Sequence, residues 1–165
     1  MNEPTPAIES VWDYPRPPRL EFTPERIRVL HAGRMIACTA LNGERALRIL
    51  ETSHPPVYYL PRAAIAMELL APSHARQSFC EFKGFATYWT VSIPGHESPN
   101  AAWSYESPSP SYAALRGHLA FYATRVDECW VGAERVVPQP GDFYGGWITS
   151  NLRGPFKGAL GTRNW

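Results

Sequence analysis

The chain is predicted to be mainly β, and three observations carry that prediction. Seventeen prolines and twelve glycines in 165 residues cut the sequence into short runs, which leaves little room for long helices. Several of those runs alternate apolar with polar side chains around a glycine, the signature of β-hairpins. The densest run, Ser78 to Ile93, is rich in aromatic and β-branched residues and is followed by Pro94-Gly95 and a second run, Ala101 to Tyr105, so the two pair antiparallel across a turn.

Taken in order, residues 1–25 hold prolines at positions 4, 6, 15, 17, 18 and 24. Such a segment favours polyproline II geometry and is expected to lie on the surface as an arm, pinned by Trp12 and Tyr14, ahead of a single domain over 26–165. Arg26 to Leu30 and Met35 to Thr39 flank the turn His31-Ala-Gly33, and the pattern recurs at Glu128 to Val131 and Glu134 to Val137. Gly43 to Glu51 mixes helix-favouring residues with strand alternation. Val57 to Leu60 is a strand closed by Pro61. Ala63 to Leu70 reads as a short helix or turn ended by Pro72. Within Tyr112 to Asp127 a one-turn helix precedes a strand near His118 to Tyr122. From Pro138 onward the chain is loop, held by aromatic packing, and Gly145-Gly146 marks a close approach of the backbone to a ligand or another strand.

At 165 residues one ordinary core is available, since folding buries about 70 % of the surface of a chain this long. Hydrophobic residues are 44 %, charged residues 19 %, and the net charge is +1 with both signs interspersed. That is a globular composition without the field needed to collect phosphates, so nucleic acid is not an expected partner. No run approaches the roughly 20 apolar residues that cross a bilayer. The polar start Met1-Asn-Glu-Pro-Thr-Pro is unlike a signal peptide, so a cytoplasmic protein with no membrane partner is expected. The three cysteines, Cys38, Cys80 and Cys129, are scattered. They write neither a disulfide framework nor a four-cysteine zinc site, and no metal or other cofactor is expected.

The leading site candidate is Lys83, set among Phe79, Phe82, Phe85, Tyr88 and Trp89. A lysine desolvated against rings is a candidate Schiff-base nucleophile or general base; alternatively its ammonium sits over a ring face, or reaches Glu51, Glu81 or Asp142. His54 precedes Pro55-Pro56, which fixes its backbone and suits a proton shuttle or a ligand hydrogen bond. Trp103, Tyr105, Tyr144 and Trp147 are expected to form apolar walls, with hydroxyl or indole N–H groups orienting a polar ligand. Alternation lets only one of Tyr58 and Tyr59 face such a cleft. Cys80 borders the same run as an ordinary thiol, and Asp142, after Pro140-Gly141, is an Asx-turn residue in contact with the same hollow.

Several separated motifs carry a family resemblance. They are Glu51-Thr-Ser-His-Pro-Pro-Val-Tyr-Tyr59, Cys80-Glu-Phe-Lys-Gly84, Ala102-Trp-Ser-Tyr105, Ala120-Phe-Tyr122 with Arg125-Val-Asp127, and Pro140-Gly-Asp-Phe-Tyr-Gly-Gly-Trp147. Together, from about Val11 to Trp165, the chain resembles the DUF427 family. The resemblance implies an Mss4-like β-tent, two small antiparallel sheets meeting at an angle with one or two short helices. Relatives of that architecture include zinc-bound methionine sulfoxide reductases and the thalidomide-binding domain with its aromatic cage. The zinc cysteines of those relatives are missing here, so no structural zinc is expected, and a shared fold does not transmit chemistry.

Two functional readings stand side by side. In the first the protein is a small-molecule-binding domain with Lys83 and His54 as polar anchors in an aromatic pocket. In the second it is an enzyme in which Lys83 or His54 performs acid-base or Schiff-base chemistry on a carbonyl-containing metabolite. The expected partner is a small-molecule ligand, with homodimerisation left open.

Overall fold

The computed structural model describes residues 6–141 and 143–165, with backbone alone for 75–77. Eleven strands build its two main sheets: β1 Arg19–Thr23, β2 Ile27–His31, β3 Arg34–Cys38, β4 Ala46–Leu50, β5 Val57–Pro61, β6 Leu70–Cys80, β7 Gly84–Val91, β8 Ser98–Ser104, β9 His118–Phe121, β10 Glu128–Val131 and β11 Glu134–Arg135. The larger sheet has seven strands in the order β1-β4-β5-β9-β8-β7-β6, and the smaller has four in the order β11-β10-β2-β3. Every pairing within them is antiparallel. The helical content described is four short 3-10 segments, so the protein is mainly β.

The two hairpins that repeat at opposite ends of the sequence meet in space. Trp130 of β10 lies opposite Arg28 of β2, making one sheet from both. In the first hairpin the turn residues Ala32 and Gly33 have φ of 52° and 73°, the left-handed pair a tight hairpin of this twist requires. The ambiguous stretch 43–51 is resolved in favour of strand β4, because β1 and β5 flank it and supply hydrogen-bond partners on both sides. Tertiary pairing outweighs the helix propensity of Glu44, Arg45 and Leu47.

Two expectations are corrected and one is refined. Residues 19–23 are an edge strand paired with β4 and not part of a surface arm, and Val11 is fully buried beside Leu50. Residues 63–70 hold two 3-10 turns, Arg62–Ala64 and Met67–Leu69. Pro72 does not end a helix; it lies inside β6, the last strand of its sheet, where a residue lacking an N–H is tolerated because one side of the strand has no neighbour. From residue 136 onward the described chain is loop apart from two-residue ladders at Val137–Pro138 with Trp147–Ile148 and at Leu152–Arg153 with Glu9–Ser10 and an isolated bridge between Lys157 and Ala159.

Period-two alternation gives the seven-stranded sheet two different faces. Tyr58, Leu60, Leu119 and Phe121 point into a core shared with Ile27, Val29 and Ile36 of the smaller sheet. Leu47, Ile49, Tyr59, Ala120 and Trp103 point the other way, into a second, aromatic core with Tyr105 and Leu115. Leu119 and Phe121 are completely buried, and each such side chain contributes about 2 kcal/mol of apolar burial. The candidate site opens on the second face.

Candidate functional site

The aromatic face of the sheet borders a cavity of about 390 Å³ that Lys83, His54, Tyr59, Cys80, Trp103 and Tyr105 all line. Tyr144 lines it as well. Seven of the sequence-predicted residues therefore converge on one hollow, although they come from β5, β6, β8 and four separate loops. The volume falls in the range of sites that enclose small molecules.

Each side chain reaches the hollow for a local reason. Lys83 sits in the turn 81–83 between β6 and β7, where a lysine would ordinarily be solvated, yet it is only 9 % exposed. The turn is tied inward by Ser109, whose N–H donates to the Lys83 carbonyl at 3.1 Å. The ammonium lies 5.7 Å from the Tyr105 ring centroid, the cation–π alternative of the sequence reading. Among the described residues no carboxylate stands within ion-pair distance of it; Asp142, one of the acids expected near it, lies outside the described residues.

His54 closes the turn after β4. Its N–H donates to the Glu51 carbonyl at 3.0 Å, and Ser53 before it has φ of 72° and is fully buried. The imidazole packs edge-on against Tyr144, centroids 4.7 Å apart. Its tautomer is set by Gln139. The Gln139 Oε1 accepts from the Gly146 N–H at 3.0 Å, and its Nε2 donates to the Lys157 carbonyl at 2.9 Å. These backbone partners fix which end of the amide is which. The Gln139 Nε2 also lies 3.1 Å from His54 Nδ1, so Nδ1 must accept and the ring proton resides on Nε2. Burial first, then the charges of Lys157, Arg16 and Lys83, push the His54 pKa down from 6.5 to about 4. Glu51 is 3.8 Å from Nε2 but is shared with Arg16 at 3.4 Å, and its pull does not offset the desolvation. At neutral pH His54 is a neutral ring with one N–H directed to the site, a hydrogen-bond donor whose basic nitrogen is already engaged.

The walls offer ring faces more than hydroxyls. Trp103 Nε1 donates to the Tyr59 hydroxyl at 3.2 Å, Tyr122 donates to the Phe143 carbonyl at 3.0 Å, and the Tyr88 hydroxyl pairs with Ser78 at 2.8 Å. Of the groups expected to orient a ligand, the Trp103 indole N–H is thus used inside the chain. Burial raises the Tyr59 and Tyr105 pKa values far above the ordinary phenol, so both rings are neutral walls. Gly145 presses against the Trp103 indole so closely that a Cβ there would overlap the ring, and one at Gly146 would lie 2.6 Å from the Pro55 carbonyl oxygen. The close backbone approach read from Gly145-Gly146 is thus to a tryptophan and a neighbouring loop.

Two predicted wall residues are elsewhere. Tyr58 points to the opposite face, stacks on Trp147 with centroids 5.2 Å apart and borders a second cavity of about 520 Å³. Trp147 is 1 % exposed and donates Nε1 to the Phe121 carbonyl at 3.0 Å, which makes it a core residue. Of the tyrosine pair, Tyr59 is the one that faces the cavity. Cys80 is a half-buried free thiol, and Cys38 and Cys129 are buried free thiols. Among the described residues no three His, Cys, Asp or Glu side chains are grouped as a metal ion would need.

Residues not singled out from sequence complete the site. Lys157 places its ammonium 5.5 Å from the Tyr144 ring and 3.2 Å from the Trp165 main-chain oxygen. Its signal was the loop motif Gly154-Pro-Phe-Lys-Gly158, but nothing local aims that lysine at residues a hundred positions earlier. Arg16, on the segment read as an arm, joins through Glu51, and Gln139 has no sequence signal at all.

A comparison with curated proteins returns no match. The family described as "Domain of unknown function (DUF427)" matches residues 19–132, a span that holds every strand of the two main sheets except β11 and Lys83, His54, Tyr59, Cys80, Trp103 and Tyr105, and the chain belongs to that family.

Proposed function

We propose that this protein is a small-molecule-binding domain whose ligand occupies the aromatic cavity, with Lys83 and the His54 Nε2–H as polar anchors and Tyr59, Trp103 and Tyr105 as walls. The observation that carries this reading is the burial of Lys83 at a hairpin turn. Holding an ammonium out of water without a carboxylate opposes folding, and a ligand that used it would offset that cost. The two antiparallel sheets around a common core support assigning the domain to the Mss4-like β-tent architecture. The three free thiols suit a reducing compartment, and we place the protein in the cytoplasm.

A thermal-shift screen against metabolite mixtures tests the reading. A ligand at 100 times its dissociation constant stabilises the native state by about 2.7 kcal/mol, and the melting temperature should rise by several degrees at this size. Lys83→Met should remove the shift and leave the unliganded protein folded. A screen in which no mixture raises the melting temperature, or in which Lys83→Met responds as wild type does, sinks the assignment. The catalytic alternative now rests on Lys83, since the His54 basic nitrogen is engaged by Gln139. It predicts that borohydride reduction traps a carbonyl compound on Lys83, visible as a mass increase.

A further inference from the structure

The polar groups aimed at the cavity share one character: they donate. Lys83 and Lys157 both face rings, Tyr105 and Tyr144, and among the described residues neither has a side-chain carboxylate within ion-pair distance; Lys157 spends one of its three donors on the Trp165 main-chain oxygen at 3.2 Å. The His54 Nε2 carries the ring proton, and its nearest carboxylate oxygen, on Glu51, is 3.8 Å away, too far for a hydrogen bond. Gln139 could have supplied an acceptor, but its Oε1 is bound by the Gly146 N–H and both Nε2 hydrogens are used by His54 and Lys157. The hydroxyls of Tyr59 and Tyr122 on the wall are likewise engaged within the protein. Of the two described acids that line the cavity, Glu51 is held by Arg16, and Glu81 is exposed at the turn.

A neutral ligand would leave the buried Lys83 ammonium, the remaining donors of half-buried Lys157 and an imidazole N–H without an acceptor beside it. An oxyanion would satisfy all three with charge-assisted hydrogen bonds, about twice as strong as neutral ones. Resting on the small-molecule reading above, we infer that the ligand is a small organic anion. Its carboxylate or phosphate lies within reach of Lys83, Lys157 and His54 Nε2–H, and its flat apolar body lies against Trp103, Tyr59 and Tyr105. Lysine ammonium groups over ring faces act as point charges and accept either headgroup geometry, so the headgroup is decided by measurement.

Three probes that share one aromatic body separate the cases by titration calorimetry: 2-naphthoate, 2-naphthyl phosphate and neutral 2-naphthamide. The expected result is that at least one anion binds tenfold or more tightly than the amide, the tighter anion identifying the headgroup. In the Lys83→Met/Lys157→Met protein that preference should vanish. Should the double variant fail to fold, Lys83→Gln with Lys157→Gln serves the same purpose, since glutamine keeps a donor and removes the charge. Amide binding equal to that of both anions overturns the anion inference and leaves the pocket reading standing. A preference that survives in the double variant overturns the assignment to these lysines. Failure of all three probes to bind at millimolar concentration overturns the pocket reading with it.

Discussion

The two faces of the seven-stranded sheet each border a cavity and each bring cations close to rings, but they treat charge in opposite ways. On the face that carries Tyr58, the cavity of about 520 Å³ is lined by Glu9, Glu21, Glu25 and Glu134 around a single arginine, Arg48. Arg48 there is fully answered by its own chain: its two terminal nitrogens bond the Glu9 carboxylate at 3.2 Å each, and it also bonds Glu21. Tyr14 adds a hydroxyl donor to Glu9 at 2.5 Å. On the other face Lys83 and Lys157 line the cavity with no side-chain carboxylate within ion-pair distance among the described residues, Lys157 giving one donor to the Trp165 main-chain oxygen. A charge that the fold itself neutralises holds strands together, here β1 and β4 with the segment before them. One left facing a hollow is positioned for something the chain does not supply.

That contrast predicts different responses to the same kind of substitution. Removing Arg48 with Arg48→Met strands two half-buried carboxylates next to each other, and the loss should be about 3 kcal/mol. At this chain length that lowers the melting temperature by roughly 6–12 °C, readable by thermal denaturation. Lys83→Met removes only a cation–π contact worth about 1 kcal/mol or less, so its melting temperature should stay within about 3 °C of wild type. Equal losses for the two would erase the distinction drawn here.

Acid should separate the faces next. The folded-state pKa of His54 is depressed to about 4 from 6.5, so between those values the unfolded chain binds the extra proton. Stability is therefore lost as pH falls from about 6.5 to about 4, by up to about 3 kcal/mol, and the loss is complete below that window. The groups facing the ring are Lys157, Arg16, Lys83 and Glu51. His54→Gln should flatten the denaturation curve in that range. Glu9 titrates lower. Burial opposes its ionisation, but the bonds from Arg48 and Tyr14 outweigh it and hold the carboxyl below 4.5. The opposite face thus contributes its loss as pH falls below 4.5, at the acid end of the His54 window, and Arg48→Met should remove that contribution while the loss between about 6.5 and 4.5 persists.

The smallest effect is spectroscopic. With Gln139 donating to Nδ1, the nitrogen-15 spectrum of His54 at pH 7 should be that of the Nε2–H tautomer, and Gln139→Leu should let the other tautomer appear. A spectrum of the protonated imidazolium at pH 7 would contradict both the tautomer and the depressed pKa.

Much of the fold was legible because strand periodicity and turn chemistry are local. Ala32-Gly33 writes its hairpin, and the pairing of Tyr88 with Trp103 follows from two aromatic runs joined by a short turn. The alternation of Tyr58 and Tyr59 stated that they would part company, although not which of them would meet Lys83. Stretches with mixed signals, such as 43–51, were settled by their neighbours, and Pro72 was misread because its tolerance depends on a strand's place at the sheet edge.

By itself, then, the sequence determined a mainly β chain, its hairpins, and an aromatic-flanked Lys83 and His54 as the residues to watch. Only the tertiary structure decided that Trp147 belongs to the core, that Lys157 and Arg16 join the cavity, and that Gln139 fixes the His54 proton. Periodicity is a property of neighbouring residues, whereas the environment of a charge depends on which distant segments enclose it. Arg48 and Lys83 are both cations beside strands, and only the assembled sheet gives one its carboxylates and leaves the other facing a hollow.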